Sequence, residues 1–520
     1  MLNSGCAGKI PEQNGMNRNS RLTTFGRRLS DLASSHPHKP AIIFVPEEGE
    51  EQIISWRELD QTSNRVARWL QGYNVAGQSL VVVGLGNTPE HFYLAYAIWK
   101  LGAAILPLRA RMPPAERLKI LELATPDLVV ADWADESFPS VTRTELATHD
   151  QFSAVPLPDV ISDPGYALGS GGSTGRPKII ITPGPLTAIP GAFTTQPSLG
   201  HALGMRSGQV QLIAGPLYHN GPFLFSHLGL FEDQTIVLLE RFDAGRVVDL
   251  IERHRVNFAL LVPTMMRRII KLPDVHERDF SSLDGILHTA APCPPWLKRA
   301  WIDLIGAEKV FEGYGSSEGT GNTVIRGDEW LDHPHSVGRP TPDTEILILD
   351  PEGVPVNPGE AGEIYMRQKD VDGATYQYIG SPPARTTADG FVSVGDLGWV
   401  DAEGYLFLAD RRVDLIITGG ANVYPAEVEA AISEHSLIFD VAVIGLKDDE
   451  WGRRVHAIVQ VVDTSDPPTI PELDTHCRER LAAYKVPKSY EFVDQLPRNA
   501  AGKIRRSALL AEREDDAGRG

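Results

Sequence analysis

The sequence predicts an α/β protein of two unequal domains, a large one of several sheets followed by a small α+β unit. Three observations lead there. Short apolar runs alternate with helix-period segments through most of the chain, the pattern of strands joined by crossover helices with substantial parallel pairing. Near residue 410 the texture changes, as "VGDLGWVDAEGYLFLADRRVDLIITGG" reads as a pair of short strands with Asp, Glu and Gly turns and then a dense charged stretch. The chain beyond it is long enough to fold as a separate module of about a hundred residues.

The elements follow in order. Leu59, Val66 and Leu70 recur on one face of a helix over 56–70, and "LVVVGL" (80–85) reads as a buried strand. Asn87-Thr88-Pro89 supplies a polar cap and a first-turn proline to the helix "EHFYLAYAIWKL", which Gly102 closes before the strand "AAILPL". The same grammar returns in "TIVLLE" (235–240), the helix "AGRVVDLIERHRV" and the strand "NFALLVP". In the small unit a helix starts at Pro425, "VAVIGL" and "VHAIVQVV" are strands, and a second helix spans 471–483.

Composition narrows the function. With 520 residues, 42% of them hydrophobic, the chain can bury a large core. No run of 18 apolar residues occurs, which argues against a membrane-spanning helix, and the polar "MLNSGCAGKIPEQNGMNRNS" reads as a tail rather than a secretory signal. A cytoplasmic protein is the expectation. Cys6, Cys293 and Cys477 fall in no metal-ligand spacing and read as free thiols. A formal net charge of -19 repels nucleic acid and anionic lipid, so a phosphate-bearing ligand must be met by local positive groups.

"GSGGSTGRPKII" (169–180) offers such groups. Closely spaced glycines let successive amides face one point, and Ser170, Ser173, Thr174, Arg176 and Lys178 add donors and charge suited to a polyphosphate. The segment lacks Walker A spacing, and for the segment on its own a surface loop is the alternative, less favoured reading. "YGSSEG" (314–319) brings Glu318, a hard carboxylate suited to Mg²⁺, or is a strand-to-turn connection. Asp396 in "GDLGW" (395–399) can accept two hydrogen bonds from a ribose diol or cap a turn. "PRNAAGKI" (497–504) carries Lys503 on a glycine-containing loop, and without its neighbours it would pass for a solvated basic tail.

Together with "DRRVDLIITGG" (410–420), these motifs resemble, in order, those of the adenylate-forming superfamily of acyl- and aryl-CoA synthetases, luciferases and peptide-synthetase adenylation domains, over about residues 20–510. The resemblance implies that family's fold, with residues 1–20 a flexible tail, 21–409 a large AMP- and acid-binding domain and 410–520 a small mobile domain hinged near 410–414. It implies an AMP-forming acid–CoA ligase using ATP, Mg²⁺ and CoA. ATP and AMP would be bound by Ser170, Gly172, Ser173, Thr174, Gly175, Lys178, Tyr314, Gly315, Ser316, Ser317, Asp396 and Arg411. Glu318 would hold Mg²⁺, and Lys503 would catalyse adenylation. The acid pocket would include His219, Asn220, Gly221, Pro263 and His288, and the CoA channel Gly419, Gly420, Lys485 and Lys488.

"HTAAPCP" and "SGGSTGRPK" look like the bile-acid and steroid CoA ligase branch, which implies a bulky apolar acid. Four positions depart from the family pattern. Val413 stands at the hinge position and Asp410 replaces a glycine, while Gly171 and Ile179 alter the phosphate loop. A carrier-protein thiol or another nucleophile in place of CoA, a non-catalytic nucleotide-binding role and a homodimer remain open at this point.

Overall fold

The computed structural model describes residues 21–133, 137–171, 177–369, 371, 375–411, 414–418, 421–448, 451–499 and 502–517, with Ser170, Gly171, Asp410, Arg411 and residues 515–517 described as backbone alone. A 13-stranded sheet is the spine of the large domain. In its middle, Pro40–Val45, Thr235–Leu239, Val210–Ile213, Phe258–Leu261, Gly285–His288 and Val310–Gly315 run parallel. From Val310–Gly315 outward the pairing is antiparallel, through Asn322–Arg326, Ser336–Pro340, Leu406–Arg411, Val392–Val400, Gly362–Gln368 and Thr344–Leu349. The strand Leu406–Arg411 is therefore embedded within this sheet, and the chain leaves the large domain from its end.

Three further sheets belong to the large domain, the smallest pairing Thr23–Thr24 with Thr187–Ala188. Ala104–Pro107, Leu80–Gly84, Leu128–Ala131 and Ser140–Thr142 form a parallel sheet. Ala167–Gly171, Pro177–Ile181 and Gln377–Ile379 form an antiparallel one. Val81, Val82 and Val83 are wholly buried, as expected of parallel strands covered on both faces.

The helix Trp56–Gln71 buries Leu59, Val66 and Leu70, and its first turn is closed by a reciprocal Ser55–Glu58 capping box. Pro89–Lys100 also forms, but Thr88 makes no side-chain cap. Its neighbour Asn87 is drawn elsewhere: Nδ2 donates to the carbonyls of Gly215 and Leu239, both at 3.0 Å, and Oδ1 accepts from Leu217 N at 2.9 Å. The expected cap is thus a tie between the two sheets, which fixes the loop leading to His219.

In the small unit, Ile438–Asp448, Gly452–Val461 and Ser489–Val493 form a three-stranded sheet over the helices Pro425–Ser433 and Ile470–Arg478. The second helix stops five residues before the expected 483. Leu481 N closes back on Cys477 O at 2.8 Å, and the chain turns so that Leu481 and Val486 pack into the local core. Local packing outweighs helix propensity here.

Candidate active site

The C-terminal ends of the parallel strands and the small antiparallel sheet enclose the expected site, at a position where open α/β sheets bind ligands. Pairing of Gln377–Ile379 with Pro177–Ile181 brings Tyr378 beside Lys178, and the turn after Val310–Gly315 adds Glu318. Lys178 Nζ lies 3.0 Å from Glu318 Oε1, and Tyr378 Oη donates to the same oxygen at 2.6 Å. The ammonium also sits 4.0 Å from the centroid of the Tyr378 ring. Burial works against the Glu318 charge, but the Tyr378 hydroxyl and Lys178 outweigh it and hold the carboxyl below its usual range. Glu318 is therefore ionised at neutral pH.

These residues line a cleft of about 330 Å³ with Ser316, Thr320, Ser393 and Gly395. The hydroxyls of Ser316 and Thr320 are buried without a hydrogen-bond partner, so the cleft presents unused donors beside a lysine and a carboxylate. Thr375 Oγ1 and Gln368 Nε2 donate to the carbonyls of Glu318 and Gly319 at 2.9 and 2.7 Å, which fixes the turn. Such a site suits the phosphates of a nucleotide. Mg²⁺ fits as well, since Glu318 offers an ionised oxygen there. Among the described residues no group of three His, Cys, Asp or Glu could hold a metal, so the phosphates would complete its shell.

Tyr314 Oη donates to Asp396 Oδ2 at 2.7 Å, joining two residues 82 positions apart. Asp396 stands opposite Arg411 in the strand pairing, and Ser170 stands opposite Lys178. A Cβ on Gly315 would lie 2.4 Å from Asn322 Oδ1 and 3.0 Å from the Gly321 carbonyl oxygen, so any side chain there displaces the Asn322 amide. Ser317 is partly buried on the same turn. Gly172, Ser173, Thr174, Gly175, Val413 at the expected hinge, and Gly419 and Gly420 lie outside the described residues, as do the side chains of Ser170 and Arg411.

The residues expected in the acid pocket divide. His219 precedes the helix Asn220–Phe231, and its Nε2 and the Asn220 Oδ1 are buried without partners. Burial, with Lys503 and Arg109 nearby, lowers the His219 imidazole to about 4, so it is neutral at physiological pH. A Cβ on Gly221 would stand 3.8 Å from Leu260, and Leu260 shares a cluster with Leu287 and Phe225. Pro263 begins the helix Pro263–Ile270 and is buried.

His288 requires a correction. Side chains alternate across a strand, and Leu287 takes the face shared with Leu260. His288 instead faces the helix Pro295–Ile305, fully buried and 3.8 Å from Glu312, which pairs with Lys298 at 2.7 Å. Its surroundings are charged rather than apolar, and it lines no accessible surface. Leu287, on the opposite face, is equally buried in the core cluster with Leu260.

Lys503 sits in a tight hairpin of the small domain. Its amide donates to Asn499 Oδ1 and its carbonyl accepts from Asn499 N, both at 2.9 Å. Gly502, at φ 72°, rests directly on the large domain, where a Cβ would fall 2.5 Å from Thr264 Oγ1. Lys503 is close enough for its charge to act on His219. Lys485 and Lys488 are not brought to this site: Lys485 pairs with Glu427 at 2.6 Å, and Lys488 lies 5.4 Å from the Trp451 ring, both within the small domain. Tyr378, Thr264 and Arg109 carry no sequence motif, and only strand pairing and domain contact reveal them.

The AMP-binding enzyme family model matches residues 29–372, and the AMP-binding enzyme C-terminal domain matches 427–503. The chain belongs to the AMP-binding enzyme family. It is 31% identical to the 2-succinylbenzoate–CoA ligase of Bacillus velezensis, over 94% of this chain and 98% of the relative. It is 34% identical to a feruloyl-CoA synthase of an Amycolatopsis species, over 87% and 92%, and 30% identical to the fatty acid–[acyl-carrier-protein] ligase ScoC of Streptomyces coeruleorubidus, over 94% and 96%.

Among solved structures, the ATP-bound MatB of Rhodopseudomonas palustris superposes with a TM-score of 0.80 at 27% identity, covering 95% of this chain and 99% of that one. The apo form of the same MatB, with the same coverage and 26% identity, gives 0.68. Among the described residues no helix is long and apolar enough to cross a membrane.

Proposed function

We infer that this protein is an AMP-forming acid–CoA ligase whose adenylation step is carried by Lys503 and whose substrate is a bulky apolar carboxylic acid. The observation that carries the reading is the seating of the Lys503 hairpin on Thr264, with its charge felt at His219. In the first step a carboxylate oxygen bonds to the α-phosphorus of ATP as the bond to pyrophosphate breaks. Two like charges about 4 Å apart repel by roughly 4 kcal/mol at an effective dielectric near 20. A lysine delivered between them offsets that repulsion and holds the reacting groups in line. His219 stays neutral beside it, so it neither adds a competing charge nor drives the ammonium away.

Lys178, Ser316 and Thr320 serve the phosphates, while Tyr314 and Asp396 serve the nucleoside. Glu318 would hold Mg²⁺, which supplies charge neutralisation on the phosphates when bound. In the second step the CoA sulfur bonds to the acyl carbon and AMP leaves with the bonding pair. Gly419, Gly420, Lys485 and Lys488 are proposed to border the CoA path after Val413 turns the small domain. ATP and CoA are supplied in the cytoplasm, where the reading puts the enzyme.

The apolar acid class rests on the sequence of the 286–294 segment. The similarity to ScoC favours a second reading, with a carrier-protein thiol as acceptor. A panel of ferulic, 2-succinylbenzoic, palmitic and cholic acids, with MgATP and either CoA or a phosphopantetheinylated carrier, separates them by mass spectrometry. Equimolar AMP and acyl-CoA are expected. Acyl transfer to the carrier alone would establish the second reading, and no pyrophosphate release with any acid would remove both.

A further inference from the structure

Asp440, at the start of the small domain's longest strand, is buried between arginines from both domains. Arg267 reaches it from the helix Pro263–Ile270: Nη1 donates to Asp440 Oδ1 and to the Phe439 carbonyl, each at 2.9 Å. Arg498 grips the same carboxylate from within the small domain, through Nε to Oδ2 at 2.5 Å and Nη2 to Oδ1 at 2.9 Å. Its remaining nitrogen, Nη1, donates to the carbonyl of Gly502 at 2.9 Å. The Arg267 and Asp440 side chains are only 10% and 8% exposed.

The chain of contacts runs from the large domain to the residue before Lys503. Burial opposes the Asp440 charge, but the two arginines outweigh it, so the carboxyl stays ionised. Arg267 and Thr264 are three residues apart on one helix and face the same way, so a single helical surface carries both the seat of the hairpin and its tie. Lys271, one turn further, donates to the Ile438 carbonyl at 3.3 Å, and Trp296 donates to Ser433 Oγ at 3.3 Å. Neither of these contacts leads to the hairpin.

We propose that Arg267 is a positioning residue for adenylation: through Asp440 and Arg498 it latches the Lys503 hairpin onto the helix Pro263–Ile270, and the latch opens for thioester formation. The proposal rests on the role given above to Lys503. Asp440 and Arg498 travel together with the small domain, whereas Arg267 stays behind, so its contacts belong to one arrangement only, as does the exposed pair of Arg505 with Glu116 at 3.4 Å beside the hairpin. Losing them withdraws support from one half-reaction and leaves the other. Removing one member of a buried, hydrogen-bonded charge pair is strongly destabilising to the state that holds it, enough to shift a two-state population by an order of magnitude or more.

Two readouts test it on the full-length enzyme. Hydrogen exchange by mass spectrometry, without any acid, compares wild type with Arg267→Ala. Uptake is expected to rise in peptides covering 495–505 and 263–271 while the strand Gly452–Val461 keeps its protection, and unchanged uptake at the hairpin would overturn the latch. With the panel acid of fastest turnover, Arg267→Ala should form adenylate about tenfold more slowly or worse, while thiolysis of supplied acyl-adenylate is unchanged or faster.

Equal losses in both steps would mean a merely structural role and end the proposal. Arg267→Lys, which keeps a charge but not both contacts, should fall between wild type and Arg267→Ala. If Arg267→Ala loosens the whole small domain, the Lys variant decides, and a wild-type ratio of the two rates there would sink the idea. Lys503→Ala, assayed alongside, isolates the premise: if it spares adenylation, the role of Lys503 fails, while the exchange result still decides whether the latch exists.

Discussion

Lys178 and Lys503 are both proposed to serve an anion, yet the protein holds them in opposite ways. Lys178 projects from a paired strand, with Glu318 at 3.0 Å and the Tyr378 ring beneath it, all within the large domain. Lys503 is exposed on a hairpin of the small domain, and its position depends on Gly502 resting on Thr264 and on the Asp440 tie. The first charge is preorganised and permanent. The second is delivered, and what is delivered can be withdrawn. An enzyme that performs two steps in one cleft gains from this division, because phosphates need neutralising from ATP binding until release, whereas the bridging ammonium is needed only while the carboxylate attacks.

The largest expected effect tests that division directly. Lys503→Ala should slow adenylate formation by roughly a hundredfold or more, the scale of losing one preorganised group that stabilises transition-state charge. Thiolysis of supplied acyl-adenylate, followed by rapid quench, should change by less than about threefold. Similar losses in both steps would erase the contrast between the two lysines, since Lys503 would then be as permanent a part of the site as Lys178.

Gly502→Ala comes next and tests delivery rather than charge. The new Cβ meets Thr264 Oγ1 at 2.5 Å, and the φ of 72° is one that alanine adopts only at a cost of roughly 1–2 kcal/mol. The hairpin must lift from its seat, so adenylation should fall by about tenfold with Lys503 itself intact. Adding Thr264→Ala relieves the collision but not the backbone cost, and stopped-flow pyrophosphate release should show a partial recovery. A full recovery would mean that only the collision matters.

The contrast also marks what the sequence could and could not reveal. Residues with a local signature were legible: Lys178 after a glycine-rich run, Glu318 in a turn and Lys503 on a proline- and glycine-bounded loop. Parallel strands were legible too, because Val81–Val83 and their like are apolar on both faces. Tyr378 was not, since its role arises from pairing with a strand some 200 residues earlier, at Ile180. His288 shows a different limit. A motif put it at the end of a strand, but which face it takes depends on register, and the one-residue alternation turns it to the Lys298–Glu312 side and Leu287 to the side of Leu260. Asn87 looked like part of a helix cap and instead ties two sheets, a partnership set by tertiary contacts.

The smallest effect probes the permanent side of the site. Tyr378→Phe removes the hydroxyl that donates to Glu318 Oε1 at 2.6 Å but leaves the ring under Lys178. A hydrogen bond to a charged group contributes about 1.5–3 kcal/mol at most, and Lys178 still faces the carboxylate, so KM for MgATP should rise only about three- to tenfold. The sign of the pH effect follows from the same contact. Glu318 is held below its ordinary range partly by this hydroxyl, so without it the carboxyl titrates at higher pH, and its charge is lost sooner as pH falls. The acidic limb of the MgATP KM profile should therefore shift upward in the variant, while the profile for thiolysis stays in place. A shift in both profiles would tie Glu318 to the step from which the preorganised half of the site is argued to stand apart.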